Sequence, residues 1–146
     1  YRILAEVRDR EKNLARAIWA YEEALKIFTI ERYPIEYAAT QNNLGFVYST
    51  LAEVRDREKN LARAIRAYEE ALKIRTIERY PIEYAATQNN LGFVYSTLAE
   101  VRDREKNLAR AIWAYEEALK IFTIEEYPLH HKEVMTNLER AREMVQ

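Results

Sequence analysis

Apolar residues recur along this chain at spacings of three and four, in two alternating phases. After Pro34, the positions Tyr37, Gln41, Leu44, Tyr48 and Leu51 fall in one stripe, with Ala38, Gly45 and Ala52 alongside. That spacing predicts a helix A over 34–57, with Pro34 in the first turn, where its missing N–H costs nothing. Asn60 reads as the N-cap of a second helix, because its side-chain oxygen can accept an orphan N–H. Along that helix B, Leu61, Ala64, Ile65, Tyr68, Ala71, Leu72 and Ile74 make a broad apolar face that should end near Arg79, before Pro81. Between the helices, Arg55-Asp56-Arg57-Glu58-Lys59 alternates in sign and reads as a solvated turn.

The whole pattern returns every 47 residues, almost letter for letter: Leu4–Arg10 reappears as Leu51–Arg57 and as Leu98–Arg104. Between residues 4–50 and 51–97 only two positions differ, Trp19 becoming Arg66 and Phe28 becoming Arg75. Such a period signals a solenoid, in which a unit buries its apolar face by stacking on its neighbours. The expected organisation is one repeat domain over 1–146. Residues 1–33 would form a truncated helix A plus a helix B, 34–80 and 81–127 full repeats, and 128–146 a capping helix.

The two ends of this chain differ in kind. Tyr1 aligns with Tyr48, so the chain opens inside an A segment, and an uncapped first repeat is expected to expose apolar surface. After Pro128 the text changes. Val134, Leu138, Ala141 and Val145 form one narrow stripe with charge around it, as a solenoid cap requires.

Composition narrows the function classes. There are 23 basic and 24 acidic residues spread through every repeat, without the basic stripe of a nucleic-acid reader or membrane-surface binder. No apolar run is long enough to span a bilayer. The absence of cysteine removes disulfide and thiolate chemistry, and suits a cytoplasmic setting.

Leu44-Gly45 and Tyr48 on helix A, Ala64, Tyr68 and Ala71 on helix B, and Pro81 at the close together resemble the tetratricopeptide repeat. The repeat is longer than that family's usual unit, and Gln41 and Gln88 stand where a large residue is usual. This long form is similar to extended microbial repeats and to those of kinesin light chains. The resemblance implies an all-α, right-handed superhelix of antiparallel helix pairs and a protein- or peptide-binding role without catalysis. It also implies a concave surface lined by helix A, which here would carry Asn42, Asn43, Phe46 and Ser49, then Asn89, Asn90, Phe93 and Ser96. An Asn amide both donates and accepts, as a peptide backbone does, and the Phe pair would serve apolar side chains. The alternatives are hydrogen bonds between helices for the Asn pair and packing between A helices for the Phe pair.

Trp19 and Trp113 occupy a B position that Arg66 shares, which argues for exposure and a contact surface. An alternative role follows: a repeat scaffold, fragment or engineered, whose main interaction is with itself. It would form a homodimer through the uncapped first repeat, with Tyr1, Leu4, Trp19 and Trp113 as candidate contacts. No enzyme, cofactor or metal site is expected. Ser49 and Ser96 have no histidine near them in sequence, and the pair His130-His131 lacks a ligand spacing.

Overall fold

The computed structural model describes residues 2–146, with side chains from Ile3 onward. These residues form six α-helices and no strand: α1 (Arg2–Leu25), α2 (Pro34–Leu51), α3 (Arg57–Leu72), α4 (Pro81–Leu98), α5 (Arg104–Leu119) and α6 (Pro128–Val145). They fall into two compact units, Tyr1–Ile74 and Arg75–Gln146. In the first, α2 packs on α3 and α1; in the second, α5 packs on α4 and α6, and α6 touches α4. Neighbouring helices pair throughout each unit, which makes both of them helical-repeat structures. Among the described residues no helix is long and apolar enough to cross a membrane.

The α2–α3 hairpin shows how one copy closes. Tyr33 is extended at φ −136°, as the residue before a proline prefers, and Pro34 opens α2. The helix ends at Leu51, six residues short of the expected Arg57. Its last turn tightens through bonds such as Glu53 N–H to Thr50 C=O at 3.1 Å, and Asp56 then takes the left-handed conformation at φ 42°. Asn60 is not the N-cap. It lies inside α3, 1% exposed, and its Nδ2 donates to the Arg55 carbonyl at 3.0 Å, tying the turn shut. Asn107 does the same to Arg102 at 2.9 Å. The B helices also stop early, at Leu72 and Leu119, and the following residues coil toward the next proline.

Inside the hairpin, Leu44, Leu51 and Ala52 of the A segment face a buried row of Leu61, Ala64, Tyr68 and Ala71. The tightest point is Gly45. A Cβ built there would lie 2.5 Å from the Tyr68 ring, and one on Gly92 would lie 2.6 Å from Tyr115. Only a bare Cα lets the helix backbone rest on the tyrosine face. Across the same hairpins, the Tyr37 hydroxyl donates to Glu70, and the Tyr84 hydroxyl donates to Glu117 at 2.6 Å.

The first copy departs from expectation. Residues 2–25 form one straight helix, with no break after Arg10, although Leu4–Ala15 repeats the sequence that turns sharply in the other two copies. The segment Leu-Ala-Glu-Val-Arg-Asp-Arg-Glu-Lys consists largely of good helix formers, and a left-handed Asp costs about 1–2 kcal/mol. In the other copies that cost is offset by packing a full A helix on B. On α1 Leu4 and Ala5 are exposed, so that offset is missing and the helix runs on. Arg10 and Glu11 reach Glu53 and Arg55 at 3.5 and 3.9 Å, exposed pairs that contribute little.

The stripe on α6 is buried in its centre, at Val134, Leu138 and Ala141, but Val145 is 61% exposed. Its C-terminal end is held instead by Arg104, which donates to the Met144 carbonyl at 2.6 Å. The substituted position at 28, 75 and 122 changes what fills the B-to-A turn. Phe122 is buried, stacked under His130 at 4.6 Å and edge-on to Tyr127 at 5.5 Å. Arg75 is half-buried and lies beyond the end of α3, where it reaches Thr87 Oγ1 at 3.4 Å. Burial pulls its pKa down, and the Glu83 carboxylate opposes that.

The glycine contact yields a signed expectation. Gly45→Ala gains up to about 1 kcal/mol of helix propensity but overpacks the Tyr68 ring at about 1–3 kcal/mol, so urea denaturation should show net destabilisation. In a Tyr68→Leu background the clash is gone, and the same change should be neutral or stabilising. A destabilisation of equal size in both backgrounds would contradict the packing account.

Candidate protein-binding surface

The positions that the resemblance assigns to a groove do not share one environment. On α2, Asn43 and Phe46 point to solvent, with Phe46 62% exposed, while Asn42 is half-buried and already engaged. Ser49 is turned inward. Its hydroxyl donates to the Phe46 carbonyl at 2.9 Å, as Thr50 does from the next position, and it also hydrogen-bonds the buried Tyr68 hydroxyl. A serine bonded back to its own helix is the ordinary fate of a mid-helix hydroxyl. It has no donor to spare for a ligand.

The second unit repeats the arrangement on α4. Phe93 is 51% exposed, which rules out packing between A helices as its role within this unit. Ser96 and Thr97 both donate to the Phe93 carbonyl at 2.9 Å, and Ser96 bonds Tyr115. Asn89 is buried, and its Oδ1 accepts from Asn137 Nδ2 on α6 at 3.1 Å. Asn89 therefore joins two A-type helices instead of greeting a peptide, because a buried amide needs a partner. Asn90 is half-buried, and like Asn43 its side chain makes no hydrogen bond among the described residues. Of the eight groove candidates, the structure leaves one Phe and one unengaged Asn on each of α2 and α4.

The candidate self-association residues also separate. Tyr1 lies outside the described residues. Leu4, Trp19 and Trp113 are exposed at 61%, 65% and 55%. Trp19 stands on the side of α1 away from Leu14 and Tyr21, so it does not extend that helix's apolar stripe.

A further concavity was not legible in the sequence. In the first unit, Gln41, Leu44 and Tyr48 of α2 and Arg63, Arg66, Ala67 and Glu70 of α3 line a cavity of about 280 Å³. The Arg63 guanidinium lies 5.9 Å from the Tyr48 ring centroid. Burial pushes the Tyr48 hydroxyl up, and the nearby Glu22 carboxylate adds to that. Glu70 is held below the usual carboxylate range by Lys73, 2.5 Å away, and by the Tyr37 hydroxyl. The only advance signal was Gln41, a polar residue inside an apolar stripe, opposite Arg66. Among the described residues no cluster of three or more His, Asp or Glu gathers to hold a metal ion. His131 Nδ1 is 3.0 Å from the Phe122 carbonyl, a structural contact.

No family model, curated protein or solved structure matches this chain.

The Tyr–Glu–Lys sets give a pH expectation. Burial, joined by the Glu70 and Glu117 bonds, pushes Tyr37 and Tyr84 up to about 12. For Glu117, burial alone would raise the carboxyl, but Lys120 and Tyr84 outweigh it and hold it low. The lowered carboxylates contribute stability above their unfolded pKa, lost as pH falls through the folded value. The raised tyrosines contribute stability below their unfolded pKa, lost as pH rises toward 12. Tyr37→Phe with Tyr84→Phe should thus flatten both limbs of a urea-midpoint profile. Limbs as steep as in the parent would contradict the assignment.

Proposed function

We propose that this chain is a non-catalytic protein-binding module that receives extended peptide on the exposed face of α2 in the first unit and, separately, on that of α4 in the second. The observation that supports it is the repetition of a solvent-facing Phe beside an unengaged Asn amide at one repeat position, Phe46 with Asn43 and Phe93 with Asn90. Large aromatic side chains left in water mark contact surfaces. An Asn amide can hold a backbone C=O and N–H together, and a neighbouring Phe offers a platform for an apolar side chain. Hydrogen bonds to the peptide backbone supply affinity with little sequence preference, so the Phe of each unit sets selectivity there. This is the reading the tetratricopeptide resemblance carries, with its right-handed superhelix. Near-neutral charge over the whole protein favours a ligand without strong net charge.

Selection from a library of random unstructured peptides tests it. Enriched peptides should contain an apolar residue, and Phe46→Ala with Phe93→Ala should weaken them at least tenfold, since truncating an anchor costs about 1–3 kcal/mol. Both side chains are exposed, so thermal stability should hardly change. Failure to enrich any peptide, or binding indifferent to the double change, would contradict the proposal.

A further inference from the structure

Arg66 is one of the two letters that distinguish the second copy from the first, and it stands on the wall of the cavity in the first unit. Tryptophan holds the same place in α1 and α5. The sequences of α2 and α4 are identical, and those of α3 and α5 differ at this position alone.

The cavity has two unlike ends. Its helices run antiparallel, with Tyr37 bonded to Glu70 near one end and Arg63 over the Tyr48 ring at the other. Gln41 and Tyr48 stand seven residues apart, about 10 Å along the helix. At the Tyr48 end two guanidinium groups lack an ion pair. Arg63 reaches Asn60 Oδ1 at 3.4 Å and the Tyr48 ring, and Arg66 makes no hydrogen bond or ion pair among the described residues. Glu70, one turn on from Arg66, is already taken by Lys73 at 2.5 Å and by the Tyr37 hydroxyl. Glu22 of α1 lies against the Tyr48 hydroxyl. Two guanidinium groups against the Glu22 carboxylate leave a single positive charge to be met.

At the far end the polarity reverses. The Gln41 amide donates to the Tyr37 hydroxyl, which leaves Gln41 Oε1 without a donor among the described residues. Gln88 is turned the same way in the second unit. Its amide donates to Tyr84, and its Oε1 is buried with no hydrogen bond. Acceptors thus line this end of the cavity, Gln41 Oε1 together with the Glu70 carboxylate. Between the ends, Leu44 and Ala67 are buried and form an apolar floor.

We propose that this cavity binds a small monocarboxylic acid whose carboxylate meets Arg63 and Arg66, whose apolar body lies on Leu44 and Ala67, and whose far end donates a hydrogen bond to Gln41. A guanidinium presents two parallel N–H groups to a carboxylate, a match that no other side chain offers as well. The single unmet charge selects a monoanion over a phosphate dianion. A volume of about 280 Å³ lies at the lower edge of ligand pockets, so the acid is small. Phe46 and Asn43 stand on another face of α2, so this site does not rest on peptide binding there.

The probe is 4-hydroxyphenylacetate, which carries a carboxylate, an apolar ring and a hydroxyl at the far end. Titration followed by NMR at low salt should give a Kd of about a millimolar, as expected for a ligand of this size. The amide of the same acid lacks the charge and should bind at least tenfold more weakly. Phenylacetate lacks the hydroxyl and should also bind more weakly. Arg66→Trp installs the residue that α5 already carries in an otherwise identical helix, so the fold should survive while binding falls at least tenfold. Arg66→Gln removes the charge without filling the cavity and should do the same. No binding at ten times the expected concentration, an amide as tight as the acid, or affinity unchanged by Arg66→Gln would overturn the proposal. Phenylacetate binding as tightly as the hydroxy acid would overturn the role given to Gln41.

Discussion

The close approach of a helix backbone to a tyrosine ring governs the rest of this structure. Gly45 on Tyr68 and Gly92 on Tyr115 bring the A and B segments near enough for Leu44, Leu51 and Ala52 to bury against Leu61 and Ala64, and their counterparts likewise. That packing sustains the left-handed Asp56 and Asp103, which no glycine relieves and no capping hydrogen bond supports. It also positions Tyr37 against Glu70 and Tyr84 against Glu117. Where the contact is made, a segment of strong helix formers bends through a tight turn. Where it is not, at Tyr21, the same letters remain a straight helix.

A single sequence thus takes two conformations in one protein, and local propensity alone explains only the straight one. The turn residues Arg-Asp-Arg-Glu-Lys carry no glycine or proline to force a break, so tertiary burial decides the outcome. This is why the pattern, read one segment at a time, puts the end of helix A at Arg57 and a break after Arg10. The spacing of Leu, Gly, Tyr and Ala does disclose two helices per full copy, their prolines and the buried face of each. Asn60 and Asn107 stand out in the pattern, but capping and turn-closing both call for an amide at that point, and the turn claims it.

The candidate surface is legible to a similar depth. Periodicity separates a buried face from an exposed one, so Phe46, Phe93, Trp19 and Trp113 can be placed outside. It cannot say which polar side chains are already occupied. Ser49 and Ser96 turn back onto their own helix, and Asn89 spends its amide on Asn137, contacts that depend on how each helix is seated against its neighbours. The cavity beside Gln41 and Arg66 is hidden for the same reason. A void arises from the mismatch of two helices, and neither helix's pattern reveals it.

Identical turn sequences are open in the first copy and closed where an A-helix glycine meets its tyrosine. Spin labels at positions 3 and 19, and in a second sample at the equivalent positions 97 and 113, measure that difference directly by electron–electron double resonance. Labelled molecules diluted into unlabelled protein keep the distances within one molecule. The first pair should lie about 24 Å apart, as sixteen residues of straight helix require, and the second pair should be clearly closer. Equal distances in the two samples would contradict the account.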